Sequence, residues 1–350
     1  FGSSPGQRIY FQQVSPIAAM PLKTKLTEAL GIKHPIIQGG MHYVGYAELA
    51  AAVSNAGGLG VITALTIAQP PDGAEKLRAE IKKCKALTNK PFGVNLTLLP
   101  VGVPPDYDGI LKVIVEEGVK VVETAGRNPQ EVITKLKDAG IFVIHKCVAV
   151  RHALAAAKMG ADFISMDGLD CGGHPGEEDV GNWVLLAQAA QELKIPFVAS
   201  GGCATGNQLA AALAMGAEGV NMGTRFMATK EAPLHQGIKD ALVQAKVTDT
   251  THVMRSVSNT ERVYKNATAK KVQEIEAKSP GDFDQIYPYV KGENYRKSFQ
   301  ETGDATSSIW SCGQSIGLIK DVPTCEELLQ TLVAQAEDII KTRLPAMSKL

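Results

Sequence analysis

Along the middle of the chain one pattern of apolar and polar positions recurs. A short apolar run meets a glycine-rich or polar turn, an amphipathic stretch of helical period follows, and the next apolar run begins. The runs are HPIIQGG, LGVITAL, FGVNLTLLP, VKVVETAG, IFVIHKC, ADFISMDG, PFVASGG and EGVNMGTRF. Helical patterns such as YAELAAAVSNAGG, GAEKLRAEIKKCKAL, NPQEVITKLKDAG, VRHALAAAKMG and NQLAAALAMG separate them. Asn128 is expected as an N-cap, with Pro129 at the first helical position. The apolar runs are continuous rather than alternating, as in parallel strands covered on both faces. Eight such units within about 210 residues predict an α/β fold, a closed TIM (β/α)8 barrel. An open doubly wound sheet is the rival, but eight regular units with no evident switch point disfavour it.

After EGVNMGTRF the rhythm breaks. Residues 248–300 carry helix-like stretches, ERVYKNATAKKVQEIEAK among them, and no strand run. They are expected to form a smaller helical lid domain inserted after strand eight. The barrel would then comprise 21–247 and 301–347, closed by the helix of TCEELLQTLVAQAEDIIKTRL. Residues 1–20 start at Phe1 and show no period, so they are set aside as a tag or leader. Residues 348–350 spell Ser-Lys-Leu, a peroxisomal address when terminal. The expected location is therefore peroxisomal, with the cytoplasm as the alternative.

Composition narrows the classes. Thirty-six basic residues balance thirty-six acidic ones, so nothing favours a nucleic-acid or anionic-membrane partner. No apolar run reaches the roughly 18–20 residues of a membrane helix. Six scattered cysteines without a CxxC pair read as free thiols.

In such barrels the active site lies at the carboxyl ends of the strands, and the polar residues of this chain gather there. Gly39, Gly40 and Met41 follow strand one, and Asn95 and Thr97 end strand three. Glu123 and Thr124 end strand four, and His145, Lys146 and Cys147 end strand five. Asp167 ends strand six, Ser200, Gly201 and Gly202 end strand seven, and Asn221, Gly223 and Thr224 lie on strand eight. Glycine turns after strands seven and eight are the usual phosphate site of this fold, because bare backbone N–H groups can approach an anion. No GxGxxG suggests a dinucleotide-binding unit. Lys146 at a buried strand end needs an anion, either Asp167 or Glu123, or a negatively charged cofactor. His174 stands in the loop GLDCGGHPG, where an imidazole suits proton abstraction near neutral pH. A Cys171–His174 nucleophile lacks a third group. Cys147, Cys171, His174 and Cys203 match no zinc spacing, so no metal is expected.

These segments together, HPIIQGGM, AAAVSNAGGLGVI, PFGVNLTLLP, GADFISMDG, GGHPGEEDVG, VASGG and NMGTRF, resemble the nitronate monooxygenase family, formerly the 2-nitropropane dioxygenases. The resemblance runs from about Pro21 to about Leu344. It implies an FMN-binding TIM barrel with a smaller helical domain over its mouth. Gly39, Gly40 and Met41 would lie along the flavin, and Asn95 and Lys146 would contact the ring or ribityl chain. Asp167 and Gly173 would touch the cofactor, Gly201, Gly202, Gly223 and Thr224 would hold its phosphate, and His174 would be the active-site base. The implied reaction is oxidation of alkyl nitronates with O2. One related group reduces quinones with NAD(P)H, and HKCVAVRHA and GHPGEEDVG look nearer to it. That group has a glutamine where Gly102 stands after Pro100. An FMN-dependent enoyl-thioester reductase and a non-catalytic flavin-binding protein are the further alternatives.

Overall fold

The computed structural model describes residues 22–98 and 105–348. The proposed leader, Gly102 and the last two residues of the terminal tripeptide lie outside them. Eight strands form: β1 Ile36–Gln38, β2 Gly60–Thr63, β3 Phe92–Leu98, β4 Val121–Gly126, β5 Phe142–Cys147, β6 Phe163–Asp167, β7 Phe197–Ser200 and β8 Val220–Met222. Each pairs in parallel with its neighbour in sequence from β2 to β8, and β8 pairs with β1. Leu59 closes the ring between β1 and β2. Its N–H donates to Ile36 O at 2.9 Å, and its carbonyl accepts from the Gln38 N–H at 2.9 Å. The predicted barrel is therefore observed.

The strands carry two layers on their inward face. Ile37, Val61, Val121, Ile144, Phe163 and Val198 form one apolar cluster together with Leu26 and Leu30 of the helix Lys25–Leu30. This layer fills the amino-terminal end of the barrel. Two residues further along the same faces come Thr63, Glu123, Lys146 and Ser200, with Ser165 and Asp167 on β6. Side chains alternate along a strand with period two, so one face turns from apolar to polar toward the carboxyl ends. A larger cluster packs the outward faces against the surrounding helices.

Two expectations need correction. Residues 248–300 are not wholly helical. An antiparallel hairpin, β9 Thr250–Val253 and β10 Glu261–Tyr264, begins the segment, with Arg262 opposite His252. Its strands have four residues each, and its turn uses Met254 at φ 60° and Ser258 at φ 53° in place of a glycine, so the usual hairpin signal is missing. Helices Ala267–Lys278, Phe283–Val290 and Gly292–Lys297 follow. Val253, Val263, Ala269, Val272, Ile286 and Ile309 give the segment a small core of its own. In the second case, Pro129 and not Asn128 occupies the N-cap position of the helix Gln130–Asp138. Asn128 Oδ1 still accepts from the Gln130 N–H at 3.1 Å, so its capping chemistry survives one residue upstream.

No helix among the described residues is long and apolar enough to cross a membrane. Packing is tight where the helix Ala47–Asn55 crosses β2. A Cβ on Gly60 would stand 1.9 Å from the Ala50 carbonyl oxygen. Gly60→Ala is expected to destabilise the fold by about 3 kcal/mol or more, because backbone and not a movable side chain is in the way. Urea denaturation measures this, and an unchanged midpoint would contradict the packing.

Candidate active site

The carboxyl ends of the strands open into one cleft of about 1660 Å³. Every residue given a site role from the sequence lines it: Gly39, Gly40, Met41, Asn95, Lys146 and Asp167, then Gly173, His174, Gly201, Gly202, Gly223 and Thr224. Cys147, Cys171 and Cys203 line it as well. Burial, with Asp167 beside it, pushes the Cys171 thiol well up and keeps it protonated, which disfavours a Cys–His nucleophile.

The floor is a polar network centred on Glu123, which is buried. Glu123 Oε2 accepts from the Gly40 N–H at 3.0 Å and from Asn95 Nδ2 at 2.8 Å. Glu123 Oε1 accepts from Asn221 Nδ2 at 2.7 Å. Asn221 Nδ2 also donates to Ser165 Oγ at 3.2 Å, and Ser165 Oγ donates to Asp167 Oδ1 at 3.3 Å. Asp167 Oδ2 lies 3.3 Å from Lys146 Nζ. One continuous chain therefore crosses the barrel mouth from β1 to β5. Burial works against the charge on Lys146, but Asp167 and then Glu123 outweigh it and hold the ammonium above its ordinary value. It is a cation throughout the working pH range.

This network explains the glycines after β1. A Cβ on Gly40 would fall 2.3 Å from Asn95, and one on Gly39 would fall 2.4 Å from Asn221 Oδ1. The backbone there lies directly on the two amides and presents a bare surface to the cleft. Thr63 Oγ1 accepts from the Met41 N–H at 2.8 Å and donates to the Met41 carbonyl at 3.0 Å, fixing the loop.

Gly201 and Gly202 adopt φ of 87° and 73°, a conformation open to glycine at no steric cost. The N–H groups of Gly201, Gly202 and Gly223 donate to no acceptor among the described residues. Thr224 Oγ1 accepts from the Gly313 N–H at 2.8 Å, so its own proton is free to donate. Unpaired N–H groups and a hydroxyl facing a cleft form a donor set suited to a phosphate.

His174 is exposed over this floor and makes no hydrogen bond or ion pair with a described residue. Its loop is held from the inserted segment. Gly173, at φ 84°, exchanges backbone bonds with Arg262, N–H to O at 3.1 Å and O to N–H at 2.7 Å. Arg262 Nε donates to the Leu169 carbonyl at 2.9 Å, and Arg255 pairs with Asp179. Tyr43, Tyr295 and Trp310 also line the cleft. Tyr295 stacks edge-on against Tyr43, with ring centroids 5.7 Å apart.

The family model described as nitronate monooxygenase matches residues 23–106 and 99–335. The chain belongs to the nitronate monooxygenase family. It is 34% identical to a (3aS,4S,5R,7aS)-5-hydroxy-7a-methyl-1-oxo-octahydro-1H-indene-4-carboxyl-CoA dehydrogenase of Rhodococcus jostii, over 90% of this chain and 96% of that one. It is 31% identical to a probable nitronate monooxygenase of Staphylococcus saprophyticus, over 92% and 99%. Among solved structures, FabK of Thermotoga maritima superposes with TM-score 0.85 at 35% identity, over 93% and 99%. A nitroalkane oxidase of Streptomyces ansochromogenes superposes with TM-score 0.76 at 27% identity, over 90% and 99%. This member of the family is thus an enzyme, a flavin-dependent oxidoreductase by kind. These relatives are bacterial and lend the peroxisomal reading no support.

Glu123 was visible in the sequence as a possible anion for Lys146 but not as the centre of a network, and Asn221 only as a strand-end residue; a carboxylate inside the run VVETAG was the available signal. The wall contributed by Tyr295, Trp310 and Glu261 left none, since it depends on how the insertion folds back.

Two outcomes follow from the site. Glu123→Ala leaves three donors facing a void and is expected to cost about 3 kcal/mol or more, read by urea denaturation; a loss under 1 kcal/mol, about the worth of one ordinary hydrogen bond, would contradict its place at the centre. The second outcome concerns His145, whose Nδ1 lies 2.8 Å from Thr124 Oγ1. Burial, aided by His152, lowers its pKa from 6.5 to about 4. Between those values the unfolded chain binds a proton that the folded one refuses, so stability is full above the upper value and falls as pH drops toward the lower. His145→Gln is expected to reduce proton uptake on unfolding at pH 5 by about one; an unchanged uptake would contradict this.

Proposed function

We propose that the protein binds FMN across this floor and oxidises alkyl nitronates with O2, with His174 as base when a neutral nitroalkane is the substrate. The observation that carries the reading is that an unpartnered imidazole, a cation, a bare backbone floor and a set of free N–H donors line one cleft. Bound FMN would supply two-electron oxidation and the reaction with O2.

The residues divide the remaining work. The N–H groups of Gly201, Gly202 and Gly223 and the Thr224 hydroxyl would take the phosphate. Gly39 and Gly40 offer a surface without projecting Cβ atoms on which a planar ring can rest, and Met41 would lie along its edge. Asn95 gives one amide hydrogen to Glu123 and keeps the other for the cofactor. Lys146 would face the ring and favour negative charge on it, with Asp167 orienting the ammonium. Gly173 sets the height of the loop. The His174 imidazole nitrogen would take the proton from the carbon beside the nitro group.

A second reading is favoured by the size of the cleft. At about 1660 Å³ it exceeds the roughly 300–1,000 Å³ of ordinary small-molecule sites, which is ample for a long acyl thioester beside the flavin. The CoA dehydrogenase relative and the FabK neighbour support the same direction. Both readings use the same floor and the same histidine; NAD(P)H would then be the reductant, as it would for quinone reduction.

Anaerobic mixing separates these readings. Propyl nitronate is expected to bleach the bound flavin; a flavin left oxidised at millimolar nitronate removes the first reading. Rapid bleaching by NADH or NADPH, reversed by an enoyl-CoA or by benzoquinone, identifies the reductase readings. His174→Ala is expected to keep the yellow colour and to slow proton abstraction from nitroethane by about 10²–10⁴-fold. Equal rates in both proteins would show that the imidazole is not the base. Lys146→Met is expected to weaken FMN binding or to lower the flavin potential; both unchanged would refute its place.

A further inference from the structure

The loop that carries His174 and the strand β10 run side by side in opposite directions. The reciprocal bonds between Gly173 and Arg262 are one narrow pair of an antiparallel ladder. Beyond the next step the two segments are tied again, where the Thr260 N–H donates to Glu177 Oε1 at 2.9 Å and its hydroxyl donates to the same carboxylate. The interval between these ties holds His174, Pro175 and Gly176 on one segment and Glu261 on the other, with His174 and Glu261 each next to the Gly173–Arg262 bridge. In an antiparallel ladder the pair after a hydrogen-bonded pair has its side chains closest and on one face. His174 and Glu261 both line the cleft.

Glu261 is itself anchored. One carboxylate oxygen, Oε1, accepts from Ser311 Oγ, and Ser311 is bridged to Val263 of the same hairpin. Oε2 has no partner among the described residues. The Glu261 carboxylate is thus half-buried and held by one of its two oxygens.

We propose that Glu261 is a positioning residue for His174, its free carboxylate oxygen holding the imidazole over the cleft and favouring its protonated form. No ion pair joins the two as they stand; opposite residues of such a pair have Cβ atoms about 4.5–5.5 Å apart, so a side-chain rotation closes the gap. The other charged groups around the loop are already engaged. On the loop itself Asp170 accepts from the Asn182 N–H, Glu177 is held by Thr260, Glu178 pairs with Arg151 and Asp179 pairs with Arg255. On the hairpin the Arg262 guanidinium turns to Leu169 O and Thr250 Oγ1, and His252 meets Arg255. On the floor Lys146 is matched by Asp167. Glu293 lines the cleft from the helix Gly292–Lys297, and its conversion to Gln serves as a control.

The inference rests on His174 as the base of the proposed reaction, but its test needs no substrate. The His174 pKa is measured by NMR titration of the FMN-loaded protein, with the resonance assigned by its loss in His174→Gln. In Glu261→Gln it is expected to fall by about half to one unit, with flavin content and melting temperature unchanged. Glu261→Asp should restore most of the fall, and Glu293→Gln should leave the value near that of the wild type. Ser311→Ala, which loosens the carboxylate without removing it, should give a smaller fall. An unchanged His174 pKa in Glu261→Gln overturns the proposal; if that variant does not fold, an unchanged value in Ser311→Ala does so. A fall in a protein that leaves nitronate untouched would remove the proposed reaction and keep the pairing.

Discussion

The Glu123 carboxylate is enclosed at the mouth of the barrel, where it accepts from the Gly40 N–H and from the amides of Asn95 and Asn221. Burying a carboxylate costs several kcal/mol unless its lone pairs are met, and here charge-assisted donors from β3, β8 and the loop after β1 meet them. The same group helps Asp167 keep Lys146 charged. The glycines after β1 follow from this arrangement, because the amides that satisfy Glu123 occupy the space where side chains would go. The shape of the floor, its charge and its bare backbone are thus consequences of one interaction.

Above the floor, the position of the loop over the cleft is decided elsewhere in the chain. Residues 168–181 are rich in glycine and would have wide freedom alone. The inserted segment removes that freedom through the Gly173–Arg262 bridge, the Thr260 bonds to Glu177 and the Arg255–Asp179 pair. The barrel supplies the polar floor of the cleft, and the insertion sets where the imidazole stands. A change in the hairpin is therefore felt at His174 without touching any residue of the barrel.

The barrel was legible in the chain because strands buried on both faces must be continuously apolar, and each run such as ADFISMDG ends in the polar residue that reaches the mouth. The residues that line the mouth were legible for the same reason, since a lysine or aspartate at the end of such a run has nowhere else to go. The hairpin was not legible. THVM and ERVY are short, half polar, and joined by a turn whose left-handed residues are methionine and serine. Glu123 was legible only as a possible partner of Lys146, because its central place depends on Asn95 and Asn221 arriving from strands far apart in sequence. Glu261 gave no signal at all, for its meaning comes from a single bridge between the insertion and the loop.

The most direct measurement is a crystal structure of the protein soaked with FMN. The account predicts the phosphate against the N–H groups of Gly201, Gly202 and Gly223, the ring lying on Gly39 and Gly40 beside Lys146, and His174 above it. A phosphate bound elsewhere on the barrel, or residue 174 directed away from the ring, would contradict it.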